Sequence, residues 1–212
     1  MYYPPYMQRW YRESVQPSYI RILQASPDAP AVDVYASGKL IASNLQYKQF
    51  TPYIPLIPGK YTILVYPTGT SVTPIINTSL DVIPQLNYTV AATGMLRDIK
   101  PLVIPDTALP LPPNRIQLKF VHLSPNTPRI DITLPDGSIL FRDVEFKEIT
   151  PNLLIAPGNY NFQARLTGTN QVILNVPNQL LTDNRYYTIY AVGLVNMNPP
   201  LQILSALDKA SY

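Results

Sequence analysis

At 212 residues the chain has room for one large domain or two small ones. Apolar residues make up 46% of it and charged residues 14%, which is enough to build a core and excludes a disordered polyampholyte. The net charge of +3 comes without a basic cluster, which argues against a nucleic-acid groove, and the absence of cysteine excludes disulfides, thiolate metal sites and a cysteine nucleophile.

The chain opens on an arm, residues 1–18, in which Tyr2, Tyr3, Tyr6, Trp10 and Tyr11 crowd beside prolines and arginines. Two readings stand for it. One is a tail without fixed contacts; the other is an adhesive arm whose rings dock on a partner, extend a sheet edge or supply tyrosines for cross-linking. The arm lacks the charged, apolar and cleavage regions of a secretory signal, and no stretch of the chain approaches the ~20 apolar residues of a membrane span.

With 24 prolines against 8 glycines, long helices are disfavoured and short strands expected. In residues 19–104, apolar or alternating segments bounded by Pro, Gly, Asn and Asp predict strands near 19–25, 31–36, 39–43, 47–54, 60–66, 75–83, 86–93 and 101–104. The clearest, Tyr61–Tyr66, follows the turn Pro58-Gly59 and stops at Pro67. A Pro-rich linker, 105–114, comes next; its extended geometry lets it hold the domains apart or pack along one of them, and a semi-rigid rod of two beads is the expected shape. Residues 115–204 then predict strands near 115–123, 129–134, 138–142, 146–155, 160–166, 172–180, 186–193 and 201–204, before a tail at 205–212.

The two segments read as copies. Ser26-Pro27-Asp28 matches Ser124-Pro125-Asn126, and Val32-Asp33-Val34 matches Ile130-Asp131-Ile132. After a one-residue insertion, Lys48, Thr51-Pro52, Pro58-Gly59, Tyr61, Thr68-Gly69-Thr70 and Tyr88 match Lys147, Thr150-Pro151, Pro157-Gly158, Tyr160, Thr167-Gly168-Thr169 and Tyr187. Gly94 then meets Gly193, Pro101-Leu102 meets Pro200-Leu201, and that register is expected to run to the end. Seven or eight strands in each 85–90 residues fit an immunoglobulin- or fibronectin-like β-sandwich, so the fold expected is all-β, two sandwiches in tandem. Prolines such as Pro52, Pro55 and Pro74 belong on edges and in loops.

Candidate chemistry is sparse. Ser26, Asp28, Asp33, Ser124 and Asp131 recur around one turn. A calcium site would need six to eight oxygens, so the favoured role is structural, with Asp33 accepting backbone N–H bonds from the Ser26–Asp28 turn. His122 is the lone histidine, matched by Gln24, and has no second histidine or cysteine with which to hold zinc. Tyr88 and Tyr187 suit a corner-tying role, and Tyr61 and Tyr160 follow the Pro-Gly turns. No catalytic set, metal site or cofactor is expected.

The stretch Ile22–Tyr35, with Gly38, Pro58-Gly59, Tyr61 and Tyr88–Gly94, resembles a bacterial domain-of-unknown-function family whose members carry the phrase ASPDAPAVDVY, often in tandem. The resemblance implies an extracytoplasmic sandwich module found on cell surfaces, among secreted proteins and in spore-forming bacteria. The expected function is a non-enzymatic structural or interaction protein of the bacterial surface or spore outer layers. Its partners would be proteins or envelope and spore layers, with self-association open and neither nucleic acid nor a membrane span involved. The expected location is extracytoplasmic or on the spore surface, and without a signal peptide a route by cytoplasmic synthesis and release by lysis stays open. The alternative is a carbohydrate- or cell-wall-binding module, marked by exposed aromatics along a groove.

Overall fold

The computed structural model describes residues 16–212. Its first half holds β1 (Ser18–Gln24), β2 (Val32–Ala36), β3 (Lys39–Leu45), β4 (Ile54–Leu56), β5 (Gly59–Pro67), β6 (Ile76–Val82), β7 (Asn87–Thr93) and β8 (Lys100–Pro105). The second repeats the series with β9 (Ile116–His122), β10 (Ile130–Thr133), β11 (Ile139–Val144), β12 (Leu153–Ile155), β13 (Gly158–Leu166), β14 (Val172–Leu181), β15 (Tyr186–Val192) and β16 (Gln202–Leu207). Among the described residues helix is confined to two short 3-10 turns, Leu96–Asp98 and Lys209–Ser211.

Each half is a sandwich of two four-stranded sheets. The orders are β4-β1-β7-β8 over β3-β2-β5-β6 and, eight strands later, β12-β9-β15-β16 over β11-β10-β13-β14. The all-β, two-sandwich architecture is therefore as expected, but the strand order departs from the immunoglobulin one, where the first strand shares a sheet with the second. Here β1 runs parallel to β7, and β2 lies in the opposite sheet. The cause is local: Ala25 to Ala31, rich in proline, crosses between sheets where a tight hairpin would have kept β1 and β2 paired. The segment predicted as a strand over 47–54 is mostly a crossing loop as well. Thr51 replaces a ladder partner there, its Oγ1 accepting from Ile22 N–H at 2.9 Å, as Thr150 Oγ1 does from Phe120 N–H at 3.0 Å.

Of the two courses open to the linker, packing is the one taken, and the two beads share a core rather than standing apart. β9 is buried along its whole length, and β1 at all but one position. Such strands need cover on both faces. Ile20 and Ile22 face their own sandwich, as do Leu118 and Phe120, while Leu23 and Val121 join Ala25, Ala91, Ile104, Leu123, Tyr190 and Val192 in a core between the sandwiches. The linker packs rather than spaces: Leu109 N–H donates to Gln117 Oε1 at 3.0 Å, and Gln117 Nε2 donates to the Thr107 carbonyl at 2.6 Å.

The late register also needs correction. Ala92 pairs with Pro101 across β7 and β8, but Ala191 pairs with Ile203 across β15 and β16. Three extra residues after Gly193 therefore shift the last strand, and Pro101 corresponds to Ile203 rather than Pro200. The two cores are filled differently too. Ile22, Ala42 and Ile63 stand where Phe120, Phe141 and Phe162 fill the second core, and the first sandwich retains an apolar cavity of about 40 Å³.

Candidate functional site

The corrected register brings four charged residues into equivalent places at the centre of the molecule. Arg21 on β1 corresponds to Lys119 on β9, and Asp106, just after β8, corresponds to Asp208, just after β16. Each aspartate N–H closes the neighbouring ladder, on the Asn87 carbonyl at 2.9 Å and the Tyr186 carbonyl at 2.8 Å.

Arg21 is 5% exposed, and its guanidinium is used from every side. Nε donates to Thr89 Oγ1 at 2.9 Å, Nη1 to the Leu207 carbonyl at 2.7 Å, and Nη2 to Tyr190 Oη at 3.2 Å and Asp208 Oδ1 at 3.3 Å. The rings of Phe50 and Tyr53 each lie 4.9 Å from it. Burial alone would lower its affinity for the proton, but the Tyr190, Tyr53, Asp106 and Asp208 oxygens outweigh this and raise it. Lys119 Nζ donates to the Pro105 carbonyl and lies 3.8 Å from Asp208 Oδ2. Tyr53 Oη donates to Asp106 Oδ2 at 2.5 Å.

Thr188 Oγ1 lies 2.8 Å from both Asp208 oxygens, as Thr89 Oγ1 lies 3.2 Å from Asp106 Oδ1. Burial and the Asp106 carboxylate push Asp208 up to about 6, against the pull of Lys119 and Arg21. Arg21, Lys119 and Asp208 each bond across the two halves, while Asp106 is held within the first by Tyr53 and Thr89, and the cluster acts as a fastener. A basic residue within the apolar first strand of each half was its sequence signal; the missed three-residue shift hid the aspartates.

The repeated turn residues hold loops. Asp33 does not bond the Ser26–Asp28 turn, as the sequence suggested. Its carboxylate accepts from Asn44 N–H at 2.8 Å, Thr68 Oγ1–H at 3.1 Å and Gly69 N–H at 3.3 Å, and the Asn44 bond leads in holding its pKa low. Asn44 has a φ of 50° at a bulge in the β2–β3 pairing, so the carboxylate pins that bulge. Asp131 does the same with Asp143 N–H at 2.7 Å.

Asp28 Oδ1 accepts from Leu96 N–H at 2.7 Å, and Asn126 Oδ1 from Val195 N–H at 2.9 Å. Ser26 Oγ donates to Asp28 at 3.4 Å, and Ser124 Oγ to the Gly193 carbonyl at 2.6 Å. Asp28 and Asp33 thus serve different loops, and among the described residues no three His, Cys, Asp or Glu gather as metal ligands.

His122 is buried, with Ser124 N–H donating to Nδ1 at 3.3 Å and Nε2–H donating to the Pro128 carbonyl at 3.3 Å. These contacts select the neutral ring, and desolvation pushes its pKa down to about 4. Gln24 performs the same bridge in the first half, to Ser26 N–H at 3.1 Å and the Pro30 carbonyl at 3.4 Å. Tyr61 and Tyr160 donate to the Ile57 and Ala156 carbonyls at 2.9 and 2.7 Å, tying the Pro-Gly turns. Thr182 N–H donates to Tyr187 Oη at 3.0 Å, whereas the buried Tyr88 Oη has no partner among the described residues. Tyr2, Tyr3, Tyr6, Trp10 and Tyr11 lie outside the described residues.

No curated protein matches the chain. Among solved structures it is similar to CBMbc (family CBM26) from Eubacterium rectale Amy13K in complex with maltoheptaose, at 8% identity and a TM-score of 0.28, over 93% of this chain and 100% of that one. It is also similar to a streptococcal virulence factor described by its alpha-glucan binding, at 13% identity and a TM-score of 0.26, over 84% and 92% of the two chains. No helix among the described residues is long and apolar enough to cross a membrane. A family model for a domain of unknown function, DUF4397, matches residues 18–133, more than half of the chain, which therefore belongs to that family.

Proposed function

We propose that the chain is a non-enzymatic structural or interaction protein of a bacterial surface or spore outer layer. In this reading the two sandwiches act as one rigid block that presents loops, sheet edges and the aromatic arm to protein or envelope partners, a second copy included. The observation that supports it is how the reactive side chains are used: Arg21, Lys119, Asp106, Asp208 and His122 are buried and bonded to the fold. Chemistry on a substrate needs such groups within reach of it. Recombinant protein added to stripped cells or to spores lacking their own copy tests the reading. Saturable retention that survives salt is expected, and retention no greater than that of an unrelated β-sandwich contradicts it.

One observation favours carbohydrate or cell-wall binding as a second reading. Tyr35 and Tyr66 stand on the outer face of the β3-β2-β5-β6 sheet, opposite the core-facing Val34 and Val65, with centroids 5.9 Å apart at 85°. Their counterparts in the second half are Thr133 and Arg165. A half-exposed aromatic pair offers an apolar platform to a sugar ring. Loss of peptidoglycan or glucan binding in Tyr66→Ala would favour this reading, and absence of such binding in the parent protein would dismiss it.

A further inference from the structure

The two halves also differ at the end of the sandwich where the chain enters. Ser18 pairs with Leu56, so Pro17 enters opposite Ile57, and Ser18 Oγ donates to the Ile83 carbonyl at 2.5 Å. The β1–β7 ladder begins at Tyr19 and Asn87, which sets Leu86 beside Ser18. Ile57, Ile83 and Leu86 thus surround the entry point, and they are 68%, 53% and 45% exposed. The matched residues of the second half are Ala156, Thr182 and Arg185. There the large apolar side chains are missing and the C-terminal turn lies against the tip, with Arg185 Nη1 donating to the Ser211 carbonyl and Tyr186 N–H to Ser211 Oγ at 2.9 Å; the same turn reaches the first half at Tyr19, whose ring lies 4.6 Å from Lys209 Nζ. Below the first tip, Tyr88 Oη lacks the hydroxyl partner that Thr182 gives Tyr187, because Ile83 stands in that place.

We propose that the apolar tip formed by Ile57, Ile83 and Leu86 is the seat of the chain's own N-terminal arm, occupied through Trp10 and Tyr11. Three observations select this occupant. The fifteen residues before Gln16 join the sandwich at this tip and carry five aromatic side chains. Trp10 lies seven positions before Pro17, a reach of up to about 25 Å, enough to fold back over the three side chains. The large apolar set occurs in the half that follows the arm, and the half that follows the linker has the small Ala156 and the polar Thr182 and Arg185 in its place. A seated arm covers exposed apolar surface and holds residues 1–7, with three more tyrosines, at a defined place on the block. This inference does not depend on where the protein resides.

Trp10 is the only tryptophan, so its fluorescence reports the arm alone. The full chain is compared with the variant Ile57→Ala/Ile83→Thr/Leu86→Arg, whose new residues are those of the second half. The parent is expected to show blue-shifted emission and a severalfold lower acrylamide quenching constant than the variant, both unchanged on dilution. Quenching in the parent as strong as that of a free tryptophan amide overturns the proposal without reference to the variant. Protection that disappears on dilution overturns it too, because the arm would then be seated on a second copy. Equal protection in a folded variant overturns the choice of site.

Discussion

Replacing Arg21 with methionine keeps most of the apolar stem and removes the charge that joins the sandwiches. The lost contacts are those to Thr89, Tyr190, the Leu207 carbonyl and Asp208, together with the stacking on Phe50 and Tyr53. Asp208 keeps Thr188 at 2.8 Å and Lys119 at 3.8 Å, so its charge is only partly abandoned. Breaking one side of a buried pair costs about 3–5 kcal/mol, and the remaining lysine places this case near about 3 kcal/mol. With a urea m-value of about 3 kcal/mol/M, a midpoint shift of roughly 1 M is expected. In the Asp208→Asn background the same replacement should cost less by about 1–3 kcal/mol, since the carboxylate it served is gone. Equilibrium urea unfolding of the four proteins at pH 7 gives all the terms. A loss below about 1 kcal/mol, or an equal loss in both backgrounds, would refute the fastener.

His122→Gln installs the residue that already makes the equivalent bridge at position 24. The folded pKa of His122 lies below its unfolded value, so its contribution is present above about 6.5 and is lost as pH falls from there through about 4. Urea midpoints should be close for parent and variant at pH 7, while the parent loses more stability between pH 6.5 and 4; parallel profiles would contradict this. Asp131→Ala should cost about 1–2 kcal/mol in thermal or urea unfolding through the abandoned Asp143 N–H, and a neutral result would contradict the pinning of the bulge. Val34→Ile brings in the isoleucine of the second half beside the cavity of about 40 Å³. It should stabilise by roughly 0.8 kcal/mol, one buried methylene, and destabilisation would mean that the space is not open to Val34.

Much of the fold was legible in the sequence because turn chemistry is local. Pro58-Gly59 and Pro157-Gly158 mark the starts of β5 and β13, and Val32-Asp33-Val34 alternates as β2 does. What stayed hidden is non-local. The pairing of β1 with β7 depends on which sheet receives the chain after Ala31, and no local pattern states that. The fastener was obscured because Asp106 was read as linker and Asp208 as tail, and a three-residue shift separates their alignment. The choice between spacing and packing was not legible in the linker, because proline content fixes backbone stiffness but does not say whether a segment has a surface to lie on; Gln117 supplies that surface. Asp33 was placed in a structural role, but its partners lie 11 and 36 residues away, at Asn44 and Gly69.

The central claim concerns a role at the outside of the cell. The direct measurement is quantitative immunodetection of the native, untagged protein in washed vegetative cytosol, culture medium, envelope and purified spores. The account predicts enrichment in the envelope or spore outer layers, resistant to salt washing; recovery confined to vegetative cytosol would contradict it.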